Sequence, residues 1–154
     1  MNSSKSLHFC VVLFIFILLM GCSNAFKLEK TAPIQYSKAY FQNWTSAIKI
    51  GSSGYNFHIA NLTPAKNVVI DSVFFRNLKG RLVPDKGKYV CQLIKRDPIS
   101  KGHVLNTIKD FPFEISNRAC VISYREDGIT KYFKINNVIE NEGVYYENGP
   151  PNMQ

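Results

Sequence analysis

Asp127-Gly128 is the dipeptide that a two-residue type I′ turn favours, because both central positions of that turn require positive φ, and it stands between two runs that alternate apolar and polar residues. With this turn fixed, Tyr124 lies opposite Lys131, Ile122 opposite Phe133 and Cys120 opposite Ile135. The apolar residues of both arms then share one face. A slip of one residue would put Ile122 and Phe133 on opposite faces and expose one of them. Turn chemistry and face agree, so Ala119 to Asn136 is expected to be a hairpin.

The period of two recurs elsewhere in the chain. Ile48 and Ile50 flank Lys49, Gly51-Ser52-Ser53-Gly54 offers a turn, and Tyr55, Phe57 and Ile59 alternate with Asn56, His58 and Ala60. This reads as a hairpin with one buried face. Tyr36 to Trp44 fits helical spacing or a strand, and its aromatics favour a strand or short turn leading into Ser46 to Ile50. Asn67 to Asn77 is apolar on both parities and reads as a central strand with two covered faces, interrupted by Asp71 and Ser72. Lys79-Gly80 reads as a turn, Pro84 to Gly87 as a loop, and Lys88 to Arg96 as a strand with Tyr89, Cys91 and Leu93 on one side. Asp97 to Asp110 has no sustained period and reads as a long surface loop. Phe111, Phe113 and Ile115 alternate around Pro112, which suggests an edge strand. Seven or eight short strands at this spacing predict an all-β fold, a small antiparallel β-sandwich or open barrel.

The amino terminus is of another kind. Lys5 supplies positive charge and Phe9 to Met20 an apolar core, the layout of a secretory signal. That core is too short to cross a hydrocarbon layer of about 30 Å. Leu19-Met20-Gly21-Cys22 resembles the bacterial lipobox, in which a small residue precedes a cysteine that is lipidated on sulfur; Met20 is larger than the pattern favours. Cleavage after Ala25 is the alternative, since Ser23 and Ala25 also satisfy the small-x-small rule. The expected organisation is therefore a signal over residues 1–21, a lipidated Cys22 with a tether over 22–35, one β domain over 36–147 and a disordered tail over 148–154. Ser23 lacks the aspartate that retains lipoproteins in the inner membrane in the best-known sorting system, so an outer-membrane location is implied.

Without residues 1–21 the chain keeps enough length to bury a core without metal or several staples. The formal net charge of +8 falls by one with Lys5. Lys86, Lys88, Lys95, Arg96 and Lys101 are dispersed along alternating segments, as on a solvated strand face. If this charge has a target outside the cytoplasm, an anionic membrane surface or anionic glycan fits better than nucleic acid, and an envelope protein is the other partner class. Cys10 lies in the apolar core and Cys22 is the lipid site, which leaves Cys91 and Cys120. They can form a disulfide in an oxidising compartment or remain two buried thiols.

Catalytic patterns are sparse. His58 and His103 have no spacing to a cysteine or carboxylate that a metal site would need, so no metal or cofactor is expected, and both read as ordinary exposed imidazoles. Cys91 and Cys120 are core-facing, whereas a reactive thiolate needs an accessible, electropositive setting. Asp71 is an acid inside an apolar strand, where burial would require a partner; a structural hydrogen bond is the expectation. Glu140 and Glu142 fit a solvated strand end. A nucleotide-binding glycine loop and a hydrolase elbow are both missing. Asn43-Trp44-Thr45 and Asn61-Leu62-Thr63 match the eukaryotic glycosylation sequon, and Asp71-Ser72-Val73 resembles the Bacteroidetes O-glycosylation motif, with Ser72 as acceptor.

Taken together, Tyr40-Phe41-Gln42-Asn43-Trp44, Gly51-Ser52-Ser53-Gly54, Cys120-Val121-Ile122-Ser123-Tyr124 and Lys131-Tyr132-Phe133-Lys134-Ile135 resemble the small uncharacterised lipoproteins of Bacteroidetes, particularly flavobacteria. The resemblance spans most of the mature chain and implies location and fold without an activity. The expected function is a lipid-anchored, non-catalytic structural or binding module. A secreted, unanchored ligand-binding domain is the first alternative and an envelope enzyme the second.

Overall fold

The computed structural model describes residues 26–47, 52–96 and 108–147. The signal segment with Cys22, the positions Ile48 and Ile50, most of the expected 97–110 loop including His103, and the tail over 148–154 lie outside the described residues. Those residues form twelve strands and no helix: β1 (Leu28–Glu29), β2 (Ile34–Gln35), β3 (Lys38–Ser46), β4 (Ser52–Ala60), β5 (Thr63–Pro64), β6 (Val68–Phe75), β7 (Leu78–Arg81), β8 (Val83–Asp85), β9 (Lys88–Arg96), β10 (Cys120–Glu126), β11 (Ile129–Ile135) and β12 (Ile139–Tyr146). One sheet has the order β1-β11-β10-β6-β7, a second β12-β3-β4-β9-β8, and β2 pairs with β5. The two five-stranded sheets face each other as a sandwich.

The β10–β11 hairpin has the register that its turn dictates: Tyr124 faces Lys131, Ile122 faces Phe133 and Cys120 faces Ile135. Asp127 and Gly128 take φ values of 50° and 82°, the left-handed pair of a type I′ turn. Two further tight turns use positive φ without so plain a signal. Arg76 and Asn77 (φ 48° and 64°) join β6 to β7, and Lys86 and Gly87 (43° and 80°) join β8 to β9. The expected turn at Lys79-Gly80 is therefore displaced, because both residues belong to β7. Pro84 likewise lies in β8.

The β3–β4 hairpin also closes elsewhere than expected. Ser46 pairs with Ser52, so Ser52, Ser53 and Gly54 are strand residues. Nor does β4 have a single buried face. Phe57 and Ile59 point into the sandwich while Asn56 and His58 are buried on the opposite side, 2% and 7% exposed. Large neighbours on the outer face, among them Trp44 and Tyr40, make burial possible there.

Phe111 to Ile115 is not an edge strand. The segment is extended but makes no ladder, and it packs across the outside of the first sheet, where Phe113 joins Phe74 and Val121 in a second apolar cluster with Phe111, Ile115, Tyr132 and Leu28 at its margin. Alternation here reflects side chains set on a surface. The same strap explains why the carboxyl-terminal half of β6 is covered on both faces, whereas Val69, near the start of the strand, is 55% exposed.

The tether expectation also needs correction. Leu28 and Glu29 pair in parallel with Tyr132 and Phe133, and Ile34 is buried in the main core. The fold thus begins well before Tyr36. At the other end β12 runs parallel to β3, with Ile139 opposite Tyr40 and Tyr146 opposite Ser46, so Gly143 to Tyr146 complete a sheet.

Candidate functional site

Concave surface and strongly polarising groups coincide at one end of the sandwich. β6 finishes at Phe75, and the turn to β7 places Arg76 at a left-handed position. A side chain with a Cβ sits there at a cost of about 1–2 kcal/mol, and Asn or Gly would be the usual occupant. The Arg76 guanidinium carbon lies 4.5 Å from the centre of the Phe41 ring, 5.1 Å from Phe75 and 5.3 Å from Tyr55. These three rings come from both sheets, so one cation caps the seam between them. Arg76 Nε donates to the Asn117 carbonyl at 3.1 Å, which ties down the chain that leads into β10. One terminal nitrogen stands 3.8 Å from Glu140 Oε2. The other Glu140 oxygen accepts from Asn43 Nδ2 at 2.6 Å.

Beside this cation lies a cleft of about 380 Å³, lined by Tyr55, Arg76, Asn77, Phe111, Ser116 and Asn117 among others. Asn77, Ser116 and Asn117 are exposed, Phe111 is half-buried and Tyr55 is buried. A single cation, several neutral hydrogen-bonding groups and an aromatic wall suit binding; the described lining includes no histidine, cysteine or carboxylate.

The residues singled out from the sequence lie elsewhere. Cys22 lies outside the described residues. Cys91 and Cys120 are both buried free thiols, one in each sheet; burial pushes Cys91 up to about 12 and raises Cys120 further. Neither carries thiolate near neutral pH, as nucleophilic catalysis requires. Ser72 is buried in the middle of the first sheet, and its hydroxyl donates to Asp71 Oδ2 at 3.1 Å. A glycosyl group has no room there in the folded domain.

Asp71 is explained by a break in register. Ser123 pairs with Ser72 and Tyr124 with Ile70, so Asp71 is the extra residue of a β-bulge. Its carboxylate accepts from Ser72 and, at 3.0 Å, from Ser123. This is the structural hydrogen bonding expected of an acid in an apolar strand.

His58 overturns the expectation of an exposed imidazole. It is buried on the outer face of the second sheet and stacks on Tyr40 at 4.8 Å between ring centres. Desolvation, followed by the Lys88 charge and partly offset by Asp85, lowers its pKa to about 4. The unfolded chain, with an ordinary value near 6.5, binds the proton first as pH falls. Stability from neutral His58 is therefore complete above about pH 6.5 and is lost towards pH 4, amounting to at most about 3 kcal/mol. The urea midpoint of the wild type should fall more steeply between pH 7 and 4.5 than that of His58→Gln. Parallel declines would show that His58 contributes nothing to the pH dependence.

Among the described residues no group of histidine, cysteine and carboxylate side chains could hold a metal ion. No protein-family model, curated protein or solved structure matches the chain significantly. Arg76 escaped the sequence reading because it is one of many dispersed basic residues. The available signal was its place, directly after Phe74-Phe75 and before Asn77-Leu78, where Asn is a good second residue for a type I′ turn.

Proposed function

We propose that the chain is a lipid-anchored cell-envelope protein, attached to the outer membrane through Cys22, whose β-sandwich is a non-catalytic binding module. The observation that carries this reading is the lipobox-like Leu19-Met20-Gly21-Cys22 behind the apolar Phe9 to Met20 segment, and the spacing from Cys22 to the fold sets what such an anchor would do. β1 begins at Leu28, and the chain between it and Cys22 reaches at most about 20 Å when fully extended. A lipid on Cys22 would hold the sandwich close to a bilayer. Acyl chains contribute about 0.8 kcal/mol per buried CH₂, and two or more give stable attachment. The polar and reactive side chains support a binding role over catalysis: His58 is stacked, both thiols are buried and Asp71 is tied to serines, while the Arg76 cleft is open.

Labelled palmitate should be incorporated by the wild type and not by Cys22→Ala, with the wild type partitioning into detergent. A mature amino terminus at Phe26 and an unlabelled wild type would replace this reading with a secreted, unanchored binding domain.

A further inference from the structure

We propose that the cleft at Arg76 receives the carboxylate of an acidic sugar, so that the ligand of the module is a glycan bearing uronic-acid residues. This rests on the reading of the domain as a binding module. The electrostatics narrow the ligand first. Nε of Arg76 is committed to the Asn117 carbonyl, while the terminal nitrogen facing Glu140 is 3.8 Å away, too far for a hydrogen bond. Guanidinium donors arranged as a planar fork match the two oxygens of a carboxylate. The three rings beneath the cation hold it in place and exclude water from one side, which strengthens a charge-assisted pair on the other.

Glu140 separates a carboxylate from a more highly charged anion. Its own carboxylate stands beside the cation, held by Asn43. A monoanion can share or displace that weak contact, but a dianion such as phosphate meets repulsion that one arginine does not offset.

The rest of the lining suits the body of a sugar. Asn77, Ser116 and Asn117 are exposed at the cleft and offer both donors and acceptors to ring hydroxyls. Phe111 and Ile115 are half-buried and give the apolar face of a pyranose a surface to lie on. A volume of about 380 Å³ falls at the lower end of the range for small-molecule sites.

The mature chain, followed by NMR and calorimetry, can be titrated with glucuronate, glucose, acetate and inorganic phosphate. Glucuronate should bind at least about tenfold more tightly than the other three: glucose lacks the charge-assisted bidentate pair, worth about that much, acetate lacks the ring that would meet Phe111, Asn77 and Asn117, and phosphate meets the Glu140 charge. Arg76→Lys keeps the charge but not the fork and should lose about tenfold. Asn77→Gly keeps the positive-φ turn, removes the amide and should weaken binding, whereas Glu140→Gln should tighten it. Thermal melts identify any variant that fails to fold. If Arg76→Lys is such a variant, Asn77→Gly and Glu140→Gln decide the matter. Glucuronate binding no tighter than acetate or glucose, or unchanged in every folded variant, overturns the proposal. Palmitate labelling is read separately, so a lipidated protein that ignores glucuronate refutes the ligand and leaves the anchor standing. An unlabelled protein that binds glucuronate does the reverse.

Discussion

Phe75→Ala is expected to destabilise the domain by about 3–5 kcal/mol, the usual range for truncating a fully buried phenylalanine, and to lower the melting temperature by about 10–20 °C for a domain of this size. Phe75 is fully buried at the end of β6 in the first sheet. Its ring lies 4.9 Å from Phe41, 5.1 Å from Phe57 and 5.5 Å from Tyr55, all three from the second sheet. Removing it leaves a cavity at the sandwich interface, lost ring contacts on three neighbours and one fewer aromatic face beneath Arg76. Neighbouring strands are fixed by their ladders, so collapse into the space is incomplete. Phe75→Leu retains most of the volume and should lose only about 1–2 kcal/mol. Denaturant midpoints for the two variants test this ordering, and equal losses would mean that aromatic packing is not what joins the sheets.

That interface shows which parts of the fold can be read from sequence. The Asp127-Gly128 hairpin was legible because turn and alternation are local and agree. The strand around Phe75 was legible as an apolar run, and those around Phe57 and Leu93 by their alternation. The two faces of β4 were not, because Asn56 and His58 look like solvent-facing residues until Tyr40, Trp44 and Tyr146 are placed across the sheet; Asn56 Nδ2, for instance, donates to the Tyr146 hydroxyl at 2.8 Å. The parallel pairing of β12 with β3 joins residues some 100 positions apart and leaves no local trace. The strap at Phe111 to Ile115 has a strand's alternation without a ladder, so periodicity alone misassigns it. The Arg76 cleft depends on all of these. Its wall comes from the strap, its rings from both sheets and its acid from β12, and only the assembled sandwich brings them together.

Gly54→Ala is expected to be at least as damaging, at more than about 3 kcal/mol, through overpacking rather than a cavity. Gly54 lies in β4 at a shift in the register with β9. A methyl group there would overlap the carbonyl oxygen of Leu93 and come within 2.7–2.8 Å of the Trp44 ring. The ring can rotate, but the carbonyl belongs to the neighbouring strand and can move only if β4 and β9 separate in the middle of the second sheet. Trp44→Ala should therefore fail to rescue Gly54→Ala. Gly80 gives the contrast. A methyl at Gly80 would meet Cys91 Sγ and, at 2.8 Å, Leu93 Cδ2, both side-chain atoms that can be removed or moved. Gly80→Ala should be destabilising alone and partly restored by Cys91→Ala, since deleting the sulfur vacates the space the methyl needs. A double-mutant cycle in urea gives both coupling energies. Strong coupling of Gly80 to Cys91, with little between Gly54 and Trp44, is the expected pattern. If Trp44→Ala restores Gly54→Ala, β4 and β9 can yield at this point, and close backbone approach is not what reserves the position for glycine.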